Sequence, residues 1–343
     1  MGEIFPALVG NKYIKETLGT DIRSGQASHA YIFSGPVGSG KHTAARLCCA
    51  ASVCEHRTET GYTLPCTECA SCRKILRDIS ADVTFVNSGS RATIGVEQIR
   101  TIRQNLYITP NDGERKFYII EEAEKMTPQA QNALLLSLEE PPPFVTFFLL
   151  TTDAAALLET IRSRAPVLSM ELFYPERVME WLRTQKGGTD AEKRDSEYFR
   201  SAAVLSGGAL GRAKTLLFSE SDASELMLQR TFAMTVLSGI FTGKTSDFLV
   251  KIQAELPKSR ETAAAAMIHV QTALRDLIVR KKNAQVPMLF FTGSEDILPH
   301  AGRYALSRLT ALYRLTEQTC ARIQANGSLH ASLAEFAMEA RQI

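Results

Sequence analysis

Three groups of residues in this sequence carry chemistry. The first is Gly35-Pro36-Val37-Gly38-Ser39-Gly40-Lys41, a glycine-rich turn between an apolar run and a helical stretch. Glycines let successive backbone N–H groups face inward around phosphate oxygens, and the helix N-terminus behind them adds a favourable dipole. Lys41 is placed to meet the terminal phosphates. The residue after such a lysine is ordinarily Ser or Thr, whose hydroxyl binds Mg²⁺. Here it is His42, and Thr43 comes one residue late. One residue along a helix turns a side chain by about 100°, so Thr43 is not expected to reach the same metal. The second group is Glu121-Glu122, which ends the apolar run Phe117 to Ile120. Two acids at a strand end can supply a metal-binding carboxylate and a base beside the γ-phosphate. The first is ordinarily Asp, and Glu121 is one methylene longer. The two departures together predict a loop that takes ATP or ADP with Mg²⁺ yet hydrolyses it weakly or not at all. The competing readings are blander. They are a plain Gly-rich turn, a tolerated His42 with a water-bridged metal, and solvated strand-end charges at Glu121 and Glu122.

The third group is Cys54, Cys66, Cys69 and Cys72, spaced C-x₁₁-C-x₂-C-x₂-C. Close C-x₂-C pairs hold one tetrahedral metal, and four thiolates suit a structural Zn²⁺ with no open position. His56 inside the loop is an alternative ligand, and an iron–sulfur cluster is chemically compatible with four cysteines. Seven cysteines, an odd count clustered in this way, favour metal over disulfides. Cys48 and Cys49 read as small buried residues of the preceding helix.

These residues need a frame, and the first half of the chain alternates strand-like and helix-like segments. Strands are expected at Ala30 to Phe33, Val83 to Asn87, Phe117 to Ile120 and Val145 to Leu150. Helices are expected from Lys41 to about Ser52 and where Val96, Ile99, Ile102 and Leu106 recur at helical spacing. Another opens at Thr127-Pro128 and stops at Pro141-Pro142-Pro143. The pattern implies a parallel sheet covered by helices. Beyond about residue 170 the signals turn helical. Pro175 to Thr184 and Ser196 to Phe218 read as helices punctuated by Gly207, Gly208 and Gly211, and long helices follow from Ala223. Pro287 to Phe291, between Gln285 and Gly293, reads as a short extended segment. Boundaries are drawn near residues 172 and 222.

At this point the motifs resemble a known family, the AAA+ subunits of bacterial DNA polymerase III clamp loaders. The resemblance is carried by Ser28-His29-Ala30-Tyr31-Ile32-Phe33-Ser34-Gly35-Pro36 and by the cysteine module directly after the phosphate-loop helix. It extends to Asn132-Ala133-Leu134-Leu135 with Leu138-Glu139-Glu140-Pro141-Pro142, and to Thr151-Thr152 at a strand end. Ile161-Arg162-Ser163-Arg164-Ala165 stands where the family has Ser-Arg-Cys. Ser206-Gly207-Gly208 through Gly211-Arg212-Ala213 completes the set. The match covers about residues 5 to 215. The C-terminal third matches in helical character and in Asn326 through Phe336.

The resemblance implies an AAA+ nucleotide-binding domain over 1–172 with a zinc module at about 54–72, a small helical lid over 173–222 and an all-α collar over 223–343. It makes Arg164 an arginine finger that completes a neighbour's ATP site in trans, where a guanidinium neutralises developing charge. Glu121 and Glu122 become a degraded acidic motif. Gly35, Gly38, Gly40, Lys41, His42, Thr43, Thr152 (sensor 1) and Arg212 (sensor 2) become nucleotide contacts. Expected partners are gamma/tau and delta subunits in a heteropentameric ring, a sliding clamp, and primer–template DNA held by phosphate contacts. The enzyme concerned is the DNA polymerase III holoenzyme, a nucleotidyltransferase. His42 and Glu121 point to a delta-prime-type subunit, a stator in the loading of the clamp. The alternative is the gamma/tau motor. Leu306, Leu309, Leu312 and Tyr313 are expected either at a collar interface or in a helical core.

Composition sets outer limits. With 343 residues the chain suits two or three domains, and 45% hydrophobic with 22% charged residues is ordinary for a globular protein. A net charge of +2 makes no strong field, so nucleic acid is neither required nor excluded. No apolar run approaches a membrane span, and Met1 to Gly10 lacks the pattern of a secretory signal. A cytoplasmic location is expected. No helix-turn-helix signal is present, and the cysteine spacing is not that of a finger ending in paired histidines.

Overall fold

The computed structural model describes the chain except Met1, Thr60, Ser90, Asp195 and residues 243–244, 258, 284–285, 287, 292–298, 300–301 and 326–327, and except the side chains of some further helical residues. It falls into two compact units, Met1–Leu172 and Phe173–Ile343.

The first unit is built on five strands: β1 (Ala30–Ser34), β2 (Val83–Val86), β3 (Lys116–Ile120), β4 (Val145–Thr151) and β5 (Val167–Ser169). They form one sheet in the order β2-β3-β4-β1-β5, and every pairing is parallel. Ala30 stands opposite Phe147, Phe117 opposite Val83, and Ile32 opposite Val167. β3 and β4 are buried throughout, as expected of strands covered on both faces. Alternate side chains feed two cores. Tyr31, Phe33, Phe117, Ile119 and Phe148 pack with α1 (Lys12–Ser24) and α2 (Lys41–Ser52). Ile32, Tyr118, Ile120, Phe147 and Leu149 pack with α4 (Val96–Asn105) and α5 (Pro128–Glu139). Between these helices lies α3 (Ala70–Leu76), and α6 (Glu159–Arg162) precedes β5.

Local chemistry sets the ends. Thr127 caps α5 by accepting from the Ala130 amide at 3.2 Å, with Pro128 in the first turn. Several elements have no counterpart in the sequence reading, α1 and β5 among them. α1 buries Ile14, Leu18 and Ile22 at spacings of one helical turn. β5 has three residues, of which only Leu168 is buried, too few to show a period.

The second unit is helical where described. It contains α7 (Pro175–Thr184), α8 (Gly188–Arg194), α9 (Ser196–Leu205), α10 (Leu210–Phe218), α11 (Glu220–Phe241), α12 (Thr245–Ala254), α13 (Arg260–Lys282), α14 (Leu306–Gln324) and α15 (Leu329–Gln342). The boundary drawn at 222 falls in the first turn of α11, and one core runs across it, from Leu182 and Phe199 to Phe232, Leu237, Leu309 and Phe336. Leu309 and Leu312 are buried there, while Leu306 is exposed. Pro287, with its flanks Gln285 and Gly293, lies outside the described residues. Met288 to Phe291 form no strand, contrary to expectation. The Asp276 carboxylate takes the amides of Phe290 (2.6 Å) and Phe291 (3.4 Å), so these donors go to a side chain instead of a ladder. Asn326, the start of the last matching segment, is also outside the described residues.

Candidate functional site

The phosphate loop joins β1 to α2 at the carboxyl end of the sheet, where open α/β folds carry their ligands. Gly35 N–H bonds to Thr151 O at 3.1 Å and ties the loop to β4. A Cβ on Gly35 would lie 2.9 Å from both Met170 Cβ and Ser39 Oγ, so no side chain fits there. Gly38 and Gly40 have φ of 78° and 98°, which only glycine adopts readily. Ser39 Oγ is buried with no hydrogen-bond partner. Lys41 Nζ bonds Pro36 O at 2.9 Å and also Gly35 O, so it folds back over the loop. Burial pulls its ammonium below the ordinary lysine range, opposed by the charge of Glu124. A cradle closed to side chains, an orphaned hydroxyl and a half-buried ammonium fit a phosphate group.

The acids beside the loop are all engaged. His42 Nε2 meets Glu121 Oε1 at 2.9 Å, and the imidazole stacks on Phe85 with ring centroids 5.3 Å apart. Asn87 Nδ2 donates to the other oxygen of Glu121 at 3.0 Å. Glu122 accepts from Lys125 Nζ (2.7 Å) and Ser88 Oγ (3.3 Å), and its backbone is left-handed at φ 49°. Such strain in a non-glycine residue costs about 1–3 kcal/mol and collects at functional positions. Thr152 Oγ1 donates to Glu124 Oε1 at 2.6 Å. Burial pushes the Glu124 carboxyl up, but the Thr152 hydroxyl and nearby amides outweigh it and hold the group below its ordinary value. Thr43 is exposed on α2. These donors do not fit a Mg²⁺ held in the usual way. The hydroxyl position is an imidazole, and that imidazole and an amide already occupy the acid that would face the ion.

The structure thus brings Lys41, His42, Glu121, Glu122 and Thr152 into one neighbourhood. It adds three residues that sequence reasoning missed, Asn87, Ser88 and Glu124. Glu124 follows Glu121 by three residues, a spacing that could have flagged it.

Arg164 lies just past α6, about one-third exposed. Its guanidinium donates to Thr160 O (3.0 Å) and Glu139 Oε1 (3.0 Å). Among the described residues its hydrogen bonds go to these groups and not to the phosphate loop of its own chain. Arg212 belongs to the second unit. There it lines a cavity with Arg260 and His269, and burial lowers its pKa.

The four cysteines gather at one point. Their sulfurs all lie within 4.8 Å of one another, and Cys66 Sγ and Cys72 Sγ are 3.9 Å apart. Thiolates bound tetrahedrally at ~2.3 Å would sit roughly 3.8 Å apart, so the set fits a four-sulfur metal site. Amide N–H groups point at the sulfurs, Cys69 to Cys66 (3.3 Å) and Cys72 to Cys69 (3.4 Å). Cys69 caps α3, so the last C-x₂-C pair is a helix start. His56 is not part of the group. Its ring stacks on Tyr62 with centroids 4.1 Å apart, and its Nδ1 meets Glu59. Cys48 and Cys49 are buried in α2.

Comparison with known proteins agrees with the first unit. Residues 10–173 match the family model described as "DNA polymerase III, delta subunit". Among similar proteins, DNA polymerase III subunit gamma of Buchnera aphidicola subsp. Schizaphis graminum is 34% identical over 216 residues, 62% of this chain and 57% of its own length. Subunit tau of Bacillus subtilis is 39% identical over 160 residues, 47% of this chain and 28% of its own. The chain therefore spans between about a quarter and three-fifths of these two relatives. A solved gamma-subunit-related protein of Thermotoga maritima covers 95% of this chain and 98% of its own at 19% identity, with a TM-score of 0.41. The relatives carry the names gamma and tau, which favour the motor alternative over the delta-prime reading. Among the described residues no helix is long and apolar enough to cross a membrane. Over residues 10–173, just under half of its length, the chain is similar to the DNA polymerase III subunit model, and its sequence is similar to those gamma and tau subunits.

Proposed function

We propose that this chain is a clamp-loader ring subunit of the delta-prime type, a stator that supplies Arg164 to a neighbour's ATP while its own site does not hydrolyse. The observation that carries this reading is the His42–Glu121 pair at 2.9 Å, which engages the acid that hydrolysis would require. Nucleotide, ADP or ATP, rests on the phosphate loop through Lys41 and the backbone amides. The loop orients the phosphates, and no step is assigned to a metal there. Arg164 sits outside that site on a short helix end. Its guanidinium is held ready by Glu139 and carries the fixed charge and planar fork suited to a phosphoryl group. The cysteine module holds one structural Zn²⁺, and partners are gamma/tau and delta subunits, a sliding clamp and primed DNA.

The test is Arg164→Ala in a ring reconstituted with its partner subunits. Assembly stays intact by gel filtration. Turnover at the neighbouring site falls by about 10³-fold, the lower end for loss of an arginine finger. Unchanged turnover would remove the trans role.

A second reading, the gamma/tau motor, is favoured by the names of the relatives. It requires the His42–Glu121 pair to open and both groups to serve a metal.

A further inference from the structure

The second unit contains a cavity of about 590 Å³, lined in part by Gly207 and Arg212 of the segment expected to contact nucleotide. Its polar wall is made by Arg212 of α10 with Arg260, His269 and Thr272 of α13. Its remaining walls are aliphatic, with Ile268, Leu289 and Ile323 among them. The volume lies within the range of small-ligand sites, ~300–1,000 Å³.

The charge of this cavity is one-sided. No Asp or Glu is among its described lining residues. Neither Arg212 nor Arg260 has an ion pair or hydrogen bond among the described residues. Arg230, nearby, is already used, donating to Phe290 O at 3.1 Å. His269 is buried, its Nε2 sits 3.3 Å from Gln229 Oε1, and burial with the charges of Arg212 and Arg230 keeps it neutral. The half-buried guanidinium of Arg212 and the exposed one of Arg260 thus meet at one hollow with no carboxylate among its described lining residues, and the cost of burial falls on Arg212. Arginine cannot shed its charge, and a cation withdrawn from water without a partner is costly. An incoming anion would relieve that cost through charge-assisted, bidentate bonds. The walls narrow the choice of body. No Phe, Tyr or Trp lies among the described lining residues, and aliphatic walls suit an aliphatic group.

We propose that this cavity is a binding site for a small anion with a phosphate or carboxylate head and a short aliphatic body. The head lies between Arg212 and Arg260, and the body lies against Ile268, Leu289 and Ile323. The cavity is built from residues of the second unit alone, and the proposal does not rest on the clamp-loader reading.

The experiment uses full-length protein carrying Lys41→Ala, which disables the phosphate loop. It is titrated by calorimetry with hexyl phosphate, hexanoate and inorganic phosphate. The expected result is one site per chain for hexyl phosphate or hexanoate, whichever head is preferred, with inorganic phosphate weaker. Adding Arg212→Ala weakens binding about tenfold to a hundredfold, the worth of a charge-assisted bond. Adding Thr272→Glu places a carboxylate in the cavity while both arginines remain. It abolishes binding without lowering the Tm, so loss of folding is not the cause. Two results overturn the proposal. One is no binding of any probe in the Lys41→Ala chain. The other is binding that Arg212→Ala and Thr272→Glu leave unchanged.

Discussion

His42 and Glu121 pair at 2.9 Å beside the phosphate loop, where a metal-binding acid is expected. The departures from the usual residues were readable in sequence, but their pairing was not, because only the parallel packing of β3 near β1 brings α2 to that acid. Asn87 and Phe85 complete the arrangement through tertiary contacts that no local motif marks, whereas Glu124 is signalled only by its spacing from Glu121. His269 gives a residue-scale prediction. Burial, then Arg212 and Arg230, lower its pKa from 6.5 to about 4. Between those values the unfolded chain binds a proton that the folded chain refuses. His269 therefore contributes stability above pH 6.5 that is lost as pH falls toward 4. The size is on the order of 3 kcal/mol from the usual conversion of a pKa shift. The protection of the α13 amides, corrected for the intrinsic pH dependence of exchange and followed in a buffer of inert anions, should fall over that window. His269→Gln should flatten the response, and an unchanged slope in that variant would assign the loss to other groups.

At the scale of elements, the buried strands and their caps were the most legible part. Phe117 to Ile120 and Val145 to Leu150 are long apolar runs bounded by turns, and Thr127-Pro128 announces α5 by its own capping chemistry. β5 was not legible because a three-residue edge strand carries no period. The segment at 288–291 misled because an apolar run looks extended, whereas the side chain of Asp276 decides its path. The cysteine module is the element most dependent on something beyond its own packing. Its sequence from Thr58 to Gly61 and Thr63 offers little apolar surface, and on the proposed reading a metal orders it. The purified chain should contain one equivalent of zinc by elemental analysis. Cys69→Ala should lose it and speed amide exchange over residues 54–76 while β1, β3 and β4 stay protected. A metal-free protein with a protected module would contradict this.

For the whole molecule, the two units divide the work differently from the sequence reading. The sheet unit holds the phosphate loop, Arg164 and the cysteine module, while the helical unit has one core running across the boundary expected at 222. That continuity was hidden because helical periodicity identifies faces but not their partners. The apolar positions Leu309 and Leu312 fit a core and an interface equally until the fold places them inside. The central claim concerns the sheet unit, namely that a chain built around a phosphate loop does not turn over its own nucleotide. The most direct measurement is Mg-ATP hydrolysis by the purified chain, run beside Lys41→Ala and His42→Thr. The account predicts hydrolysis no faster than the Lys41→Ala control, with any gain appearing only in His42→Thr. Hydrolysis by the unaltered chain that Lys41→Ala abolishes would contradict it and make the chain a motor subunit.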